Sequence, residues 1–367
     1  MTTLIERLTE TASSLIGYPT VAGSTADIAG CLAWVRAHVT AAAPDVHMRD
    51  FEDAGHASLL LAHGETAPRV LLCGHLDVVP ADATDFAARR LPGSRLGGRG
   101  AADMKGPIAA LLDVFVADPL PGLGLLLTSD EETGGTHGTG YVFDRLPDRP
   151  RVVLLPDGGA TMRLVAEQKG VLRMRVIATG HATHGARPWL GQSAIERLMA
   201  GYRAVLRAFP QPTSEDDWRP SIALTQLNTD DNAANAIPGR AYATLDIRYP
   251  ADPAMPAEAL FARISARLRR YSVVPEDVSI SPAFQLDVAS PWVARLQATA
   301  QAVRGEALPL VREAGASDAR FFAAAGIPVL IFQPECAGWH GPDEWVNVES
   351  LAVFREVVAR FVRESLA

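Results

Sequence analysis

Cysteine is scarce: Cys31, Cys73 and Cys336 are the only three in 367 residues. The number is odd and no pair has CxxC spacing. That excludes a disulfide framework, argues against cysteine as a zinc ligand, and points to a reducing, cytoplasmic setting. Long apolar runs are also missing. The longest, Val70-Leu71-Leu72-Cys73 and Leu123 to Leu127, have strand length, against roughly 20 residues for a membrane span. Met1 to Ile16 mixes Glu6, Arg7 and Glu10 with Leu4, Leu8 and Leu15, so it reads as an amphipathic helix without the apolar core of a signal peptide. Basic charge is in deficit, 34 Lys and Arg against 42 Asp and Glu, a net charge of -8 with histidine neutral. Nucleic acid and anionic membrane both reward clustered cations, so neither is expected as a partner. Apolar residues are abundant, 48% against 21% charged, enough to bury a sizeable core in about two domains.

The first stretch alternates helices (residues 4–16, 25–43 and 107–116) with apolar strands (58–62, 69–73, 123–128 and 151–155). Alternation of this kind predicts an α/β domain whose mixed, mostly parallel sheet is covered by helices on both faces. The pattern changes near Gly170. Residues 171–179 alternate between apolar and polar, as a strand with one wet face does. A helix at 194–209, strands at 221–227 and 241–249, a helix at 258–271 and a strand at 278–281 follow. This β-α-β-β-α-β order is the ferredoxin-like one. From about Phe284 the α/β pattern resumes, with a helix at 292–303, a strand at 329–332 and a last helix at 348–365. The expected organisation is one α/β domain, residues 1–169 with 284–367, interrupted by an inserted α+β domain at 170–283.

Chemistry-bearing residues collect where strands end. His75 closes an apolar strand in Gly74-His75-Leu76-Asp77, with Asp77 two positions on and on the same face of an extended chain. Asp103 stands in Gly98-Arg99-Gly100-Ala101-Ala102-Asp103-Met104-Lys105-Gly106, at the start of a helix. This loop fits neither phosphate pattern: Lys105 precedes Gly106, and Asp103 occupies the third-glycine position of the dinucleotide fingerprint. Glu131 and Glu132 lie in Ser129-Asp130-Glu131-Glu132-Thr133-Gly134-Gly135, an acidic turn whose charges repel unless a cation or solvent relieves them. Asp157 follows another buried strand in Leu155-Pro156-Asp157-Gly158, and His340 sits in Gly338-Trp339-His340-Gly341. Each alone has a plain structural reading: a satisfied core histidine, a helix cap, a solvated turn, a loop histidine. Together, two imidazoles and three carboxylates at one sheet edge suit zinc or a related divalent ion. One aspartate bridging two metals, with two further ligands to each, uses all five and leaves Glu131 as general base.

The ordered segments GHLDVVP, GRGAADMKG, TSDEETGG, LPDGG, GHATHGARPWLGQSAI, NAIPG, LDIRYP, GASDARFFAAAGIPVLIFQP and WHGPDEW resemble the M20 metallopeptidases and deacylases, the group of succinyl-diaminopimelate desuccinylase, acetylornithine deacetylase, aminoacylase-1 and glutamate carboxypeptidase. The resemblance implies two divalent ions per subunit, zinc first, with cobalt or manganese as substitutes. It gives His75, Asp103 and Asp157 to one ion and Asp103, Glu132 and His340 to the other. Glu131 becomes the base, Asp77 orients His75, and the peptide after Asp103 is expected to be cis. It makes the inserted domain a lid that also forms a homodimer, with His184 of one subunit stabilising the oxyanion in the other. Asn235, Arg248, Gly315 and Ser317 match substrate-binding positions, Arg248 by its planar fork for a carboxylate.

The implied function is hydrolysis of the amide bond of an N-acyl amino acid or small peptide with a free carboxylate. Many deacylase relatives carry Gly-Glu-Pro where this chain has Pro156-Asp157-Gly158, and an Asp there favours the dipeptidase and carboxypeptidase side. A non-catalytic metal- or ligand-binding relative is the alternative, which the retained Glu131 opposes. A serine hydrolase elbow is absent, since Gly191-Gln192-Ser193-Ala194-Ile195 ends in isoleucine, and so is HExxH.

Overall fold

Every residue of two strands, Val70–His75 and Leu123–Thr128, is buried. Successive side chains of a strand point to opposite faces, so both faces of this sheet are covered. In the computed structural model, which describes residues 2–64, 67–230 and 233–367, these strands lie in a six-stranded sheet. Its order is His47–Asp53, His56–Ala62, Leu123–Thr128, Val70–His75, Val152–Leu154 and Val329–Leu330. The first two contacts between neighbours are antiparallel and the other three parallel. Register aligns His75 with Thr128 and Leu72 with Leu154, so the carboxyl ends of the parallel strands share one edge.

Helix Lys105–Ala117 is buried along most of its length and packs against helices Leu4–Ile16 and Val348–Leu366. The Leu4–Ile16 helix starts from a capping box in which Thr3 and Glu6 satisfy each other's backbone amides. Gly74 shows why strand and helix meet so closely before His75. A Cβ there would stand 2.9 Å from Ile108 Cγ1 and 3.0 Å from Met104 Cε.

By compactness the chain forms two units, residues 1–166 with 286–313 and 317–367, and residues 167–285 with 314–316. The sequence reading draws the joints after residues 169 and 283. The second unit contains an antiparallel sheet of order Ser221–Thr229, Arg240–Tyr249, Gly170–Thr179, Val273–Ser281. Helices Ala194–Ala208 and Ala257–Arg269 pack on it. Its core joins Leu172, Met174 and Val176 to Leu198, Leu245, Leu260 and Ile264.

Two strands of the larger sheets depart from the expectation. The strand His47–Asp53 was not expected, because only Phe51 in it is buried and no apolar alternation marks it. The strand expected at 278–281 begins at Val273, and its register shifts between Pro275 and Val278, where a proline and two acids disguise it. Among the described residues no helix is long and apolar enough to cross a membrane, and Cys31, Cys73 and Cys336 are all free and buried.

The Gly74 contact yields a test. Gly74→Val should lower stability by about 1–3 kcal/mol through overpacking against Ile108 and Met104. A urea midpoint equal to wild type would show that the strand–helix gap is more tolerant than the geometry indicates.

Candidate active site

Local chain geometry carries each acid and histidine to the carboxyl edge of the parallel strands, where open α/β sheets place ligands. His75 ends its strand. Glu131 and Glu132 lie in a 3-10 turn just past Thr128, and Asp157 follows Val152–Leu154 within a short bend. Asp103 precedes helix Lys105–Ala117, and the Asp103-Met104 peptide is cis. The loop closes tightly there: a Cβ on Gly106 would meet the carbonyl oxygen of Ala101 at 2.2 Å, so only glycine fits.

The five ligand-type residues come together in two overlapping groups, His75–Asp103–Asp157 and Asp103–Glu132–His340. Within each group the ligand atoms lie within 4.8 Å of one another. Asp103 belongs to both and divides its carboxylate between them. Its Oδ1 is 2.9 Å from His75 Nε2, and its Oδ2 is 3.3 Å from His340 Nε2. Glu132 Oε1 lies 3.2 Å from His340 Nε2. The other ring nitrogen of His75 is 3.0 Å from the backbone carbonyl of Asp77 and 3.5 Å from its carboxylate. His75 Nδ1 thus lies closer to the main chain of Asp77 than to its carboxylate, whose other oxygen, Oδ2, accepts the Glu132 N–H at 3.0 Å. In this way Asp77 ties a residue of one ion group to a residue of the other.

Electrostatics tests whether cations fit here. Burial and the nearby charge of Asp157 push the Glu131 carboxyl well above the usual carboxylate range. Burial and Asp103 do the same to Asp157. For Asp103 burial acts upward too, but hydrogen bonds from His340 and His75 outweigh it and hold the group well down. Hydrogen bonds to Asp103 and Glu132 raise His340 to about 10. For His75 burial acts downward, yet its bonds to Asp103 and Asp77 win and hold it well above its usual value. Crowded, part-buried carboxylates with raised proton affinity, and two imidazoles whose proton affinity they raise, form a donor set that divalent ions suit.

Asp130, the first of the three consecutive acids, does not join the cluster. It is buried, and its carboxylate accepts the His137 N–H at 2.7 Å. One of the three consecutive acids is thus relieved by a backbone amide. His137 itself contacts Asp53 at 2.7 Å and stacks on His56, tying the acidic turn to the first hairpin.

In the second unit, His184 and Asn235 lie side by side because Thr183–His184 pairs with Ala236–Ile237. Asn235 Nδ2 is 3.5 Å from His184 Nε2. His184 Nδ1 accepts the Ala186 N–H at 3.0 Å, so in the neutral ring the proton belongs on Nε2. Arg248 gives Nε and Nη2 to Asp246, at 2.7 and 3.4 Å. Gly315 groups with this unit and Ser317 with the first, where Ser317 is buried and accepts the Ala319 N–H at 3.4 Å. Asp318 escaped the sequence reading. It is buried behind the acidic turn and accepts a hydrogen bond from Thr139 at 2.5 Å, and burial raises it to about 6. It stands in Ala316-Ser317-Asp318-Ala319, where nothing local marks it as a charge that acts on Glu131.

The protonated histidines make a testable point. A metal must displace those protons, so zinc binding at pH 7 should release one from each ring, in addition to any that Asp157 holds. Because raised pKa values keep both rings protonated below and shed the protons as pH rises, apparent zinc affinity should climb from pH 6 to 8. Calorimetric titration of metal-free protein in buffers of different ionisation enthalpy measures the release; zinc uptake with no proton release would exclude these histidines as ligands.

Comparison with known proteins bears on the same segments. The model of Peptidase family M20/M25/M40 matches residues 71–364. A succinyl-diaminopimelate desuccinylase of Stenotrophomonas maltophilia is 31% identical over 380 residues, 96% of this chain and 97% of that protein. A probable carboxypeptidase of Aspergillus terreus is 35% identical over 198 residues, 50% of this chain and 46% of that protein. A tripeptidase structure from Staphylococcus aureus superposes with a TM-score of 0.78 over 100% of both chains at 18% identity, which speaks to the fold alone. With a family match reaching from the strand before His75 to the last helix, the chain belongs to peptidase family M20/M25/M40, and it is a hydrolase of the metallopeptidase type.

Proposed function

We propose that the protein is a two-metal amide hydrolase acting on an N-acyl amino acid or small peptide with a free carboxylate. The observation that carries this reading is the sharing of Asp103 between two ligand groups. His75, Asp103 and Asp157 would hold one divalent ion, and Asp103, Glu132 and His340 the other. Nitrogen and carboxylate donors suit zinc, with cobalt or manganese as substitutes. Bound ions supply Lewis acidity to the scissile carbonyl and make water nucleophilic at neutral pH.

Glu131 belongs to neither group. Its carboxyl, pushed up by burial and Asp157, is suited to take a proton from the attacking water and pass it to the leaving amine. Bound cations would bring its proton affinity back toward the usual range. A pure binding protein has no use for such a group. Asp157 supports the dipeptidase and carboxypeptidase side, while the full-length desuccinylase relative supports deacylation; both reactions need the same centre.

The second unit, in this reading, is a lid that also forms a homodimer. Trp189 and Leu190, 76% and 55% exposed, follow His184 closely and offer apolar surface to a second copy. His184, exposed and donating from Nε2, would stabilise the oxyanion of the partner's site. Asn235 and Arg248 would receive the substrate carboxylate, Arg248 sharing its fork between that group and Asp246, and Gly315 and Ser317 would belong to a substrate-facing loop. Three free buried cysteines suit a reducing, cytoplasmic setting.

Two experiments test this. Glu131→Gln should keep both ions while losing at least about 10²-fold in kcat; near-normal turnover of N-acyl amino acids and dipeptides would remove Glu131 from the base role. His184→Ala should cost roughly 10²–10³ in kcat with metal content unchanged. After subunit exchange, a mixture of these two variants should regain part of the activity, since each mixed dimer holds one intact composite site. A verified mixed dimer without recovery, or an active monomer by light scattering, would refute action across the dimer.

A further inference from the structure

The sequence motifs around Asp103 and His340 each carry a charged residue that the proposed mechanism leaves without a role, Arg99 and Glu344. Both are buried, 4% and 2% exposed. Their side chains meet at 2.5 Å, Arg99 Nη1 donating to Glu344 Oε2. Each also reaches the backbone of a ligand loop. Glu344 Oε1 accepts two consecutive amides, Ala102 N–H at 2.9 Å and Asp103 N–H at 3.1 Å. Arg99 Nη2 donates to the carbonyl of His340 at 3.0 Å. One ion pair therefore grips the bridging aspartate's amide and the histidine's carbonyl together.

A second contact runs beside it. Trp345–Asn347 pairs with Arg95–Gly97, and Gly98 N–H donates to Glu344 O at 3.0 Å. His340 has need of such support. Its φ is 61°, a left-handed conformation uncommon for a residue with a side chain, and its side chain is 54% exposed. The two ion groups are unequally supported. His75 ends a fully buried strand and Asp157 follows one closely, whereas Glu132 and His340 both stand on turns.

We infer that Arg99 and Glu344 are positioning residues for the Asp103–Glu132–His340 ion, holding the His340 loop at the distance from Asp103 that the ion requires. This rests on the two-metal reading above. The pair acts through backbone groups and touches neither ion nor substrate. A buried pair of this kind is poor evidence of stabilisation for its own sake, since desolvation cancels much of the attraction. Its three backbone partners on two loops are what give it a specific task.

The test measures metal, not turnover. Metal-free wild type, Glu344→Gln and Arg99→Lys are titrated with zinc against a chromophoric chelator, with thermal melts of each metal-free protein alongside. Wild type should take up two ions; if it does not, the two-metal reading fails before this inference is reached. Glu344→Gln should hold one ion with nearly wild-type affinity and the other roughly 10–100-fold more weakly. Arg99→Lys keeps the charge but loses the fork, so it should weaken the same ion. Should Glu344→Gln fail to fold, Arg99→Lys decides alone. Combining each variant with His340→Ala should add little, because the affected site is already broken, while combining it with His75→Ala should compound the loss. Folded variants that bind both ions as wild type does, or lose both equally, would overturn the inference.

Discussion

The site of the first unit is arranged around one part-buried carboxylate with two opposed claims on it. Asp103 turns one oxygen to His75 and the other to His340, and these rings lower its proton affinity where burial raises that of Glu131 and Asp157. Burial penalises each of these acids, and only positive charge on both sides of Asp103 reverses the sign there. Parallel strands with fully apolar bodies serve this arrangement by ending at one edge. Glycines serve it too, letting helix Lys105–Ala117 approach that edge.

The requirement for positive charge reaches beyond the ligands. Asp77 joins the two groups by supporting His75 with its carbonyl and Glu132 with its carboxylate. Asp130 is diverted to the amide of His137, which leaves fewer charges for the centre to balance. Arg99 and Glu344 neutralise each other while reaching both loops. The acids of this site are thus sorted by hydrogen bonding into those that backbone amides or a guanidinium satisfy and those that face one another and the two histidines. Sequence alone presents them as a uniform acidic turn.

Much of the architecture is readable in local patterns. Helix Leu4–Ile16 and strand Leu123–Thr128 have the expected limits, since a capping box and a continuous apolar run are properties of neighbouring residues. Strand His47–Asp53 was not readable, because an edge strand buries little and so leaves no periodic trace. The four-stranded sheet containing Arg95–Gly97 and Trp345–Asn347 was equally hidden, being made of three- and two-residue strands far apart in the chain.

The sequence by itself determined the residue types at the site and their order: each ligand-type side chain directly follows or closes a segment whose composition makes it a strand or a loop before a helix. It also determined the family, through motifs that are each short and contiguous. Tertiary structure alone decided how the charges are shared. Nothing in Asp130, Glu131 and Glu132 as neighbours says which one turns to the backbone, and nothing in Arg99 or Glu344 says that they meet across 245 positions. Local composition sets which backbone conformation is cheapest, whereas the partner of a buried charge is chosen by the packing that strips water from it and leaves it one place to go.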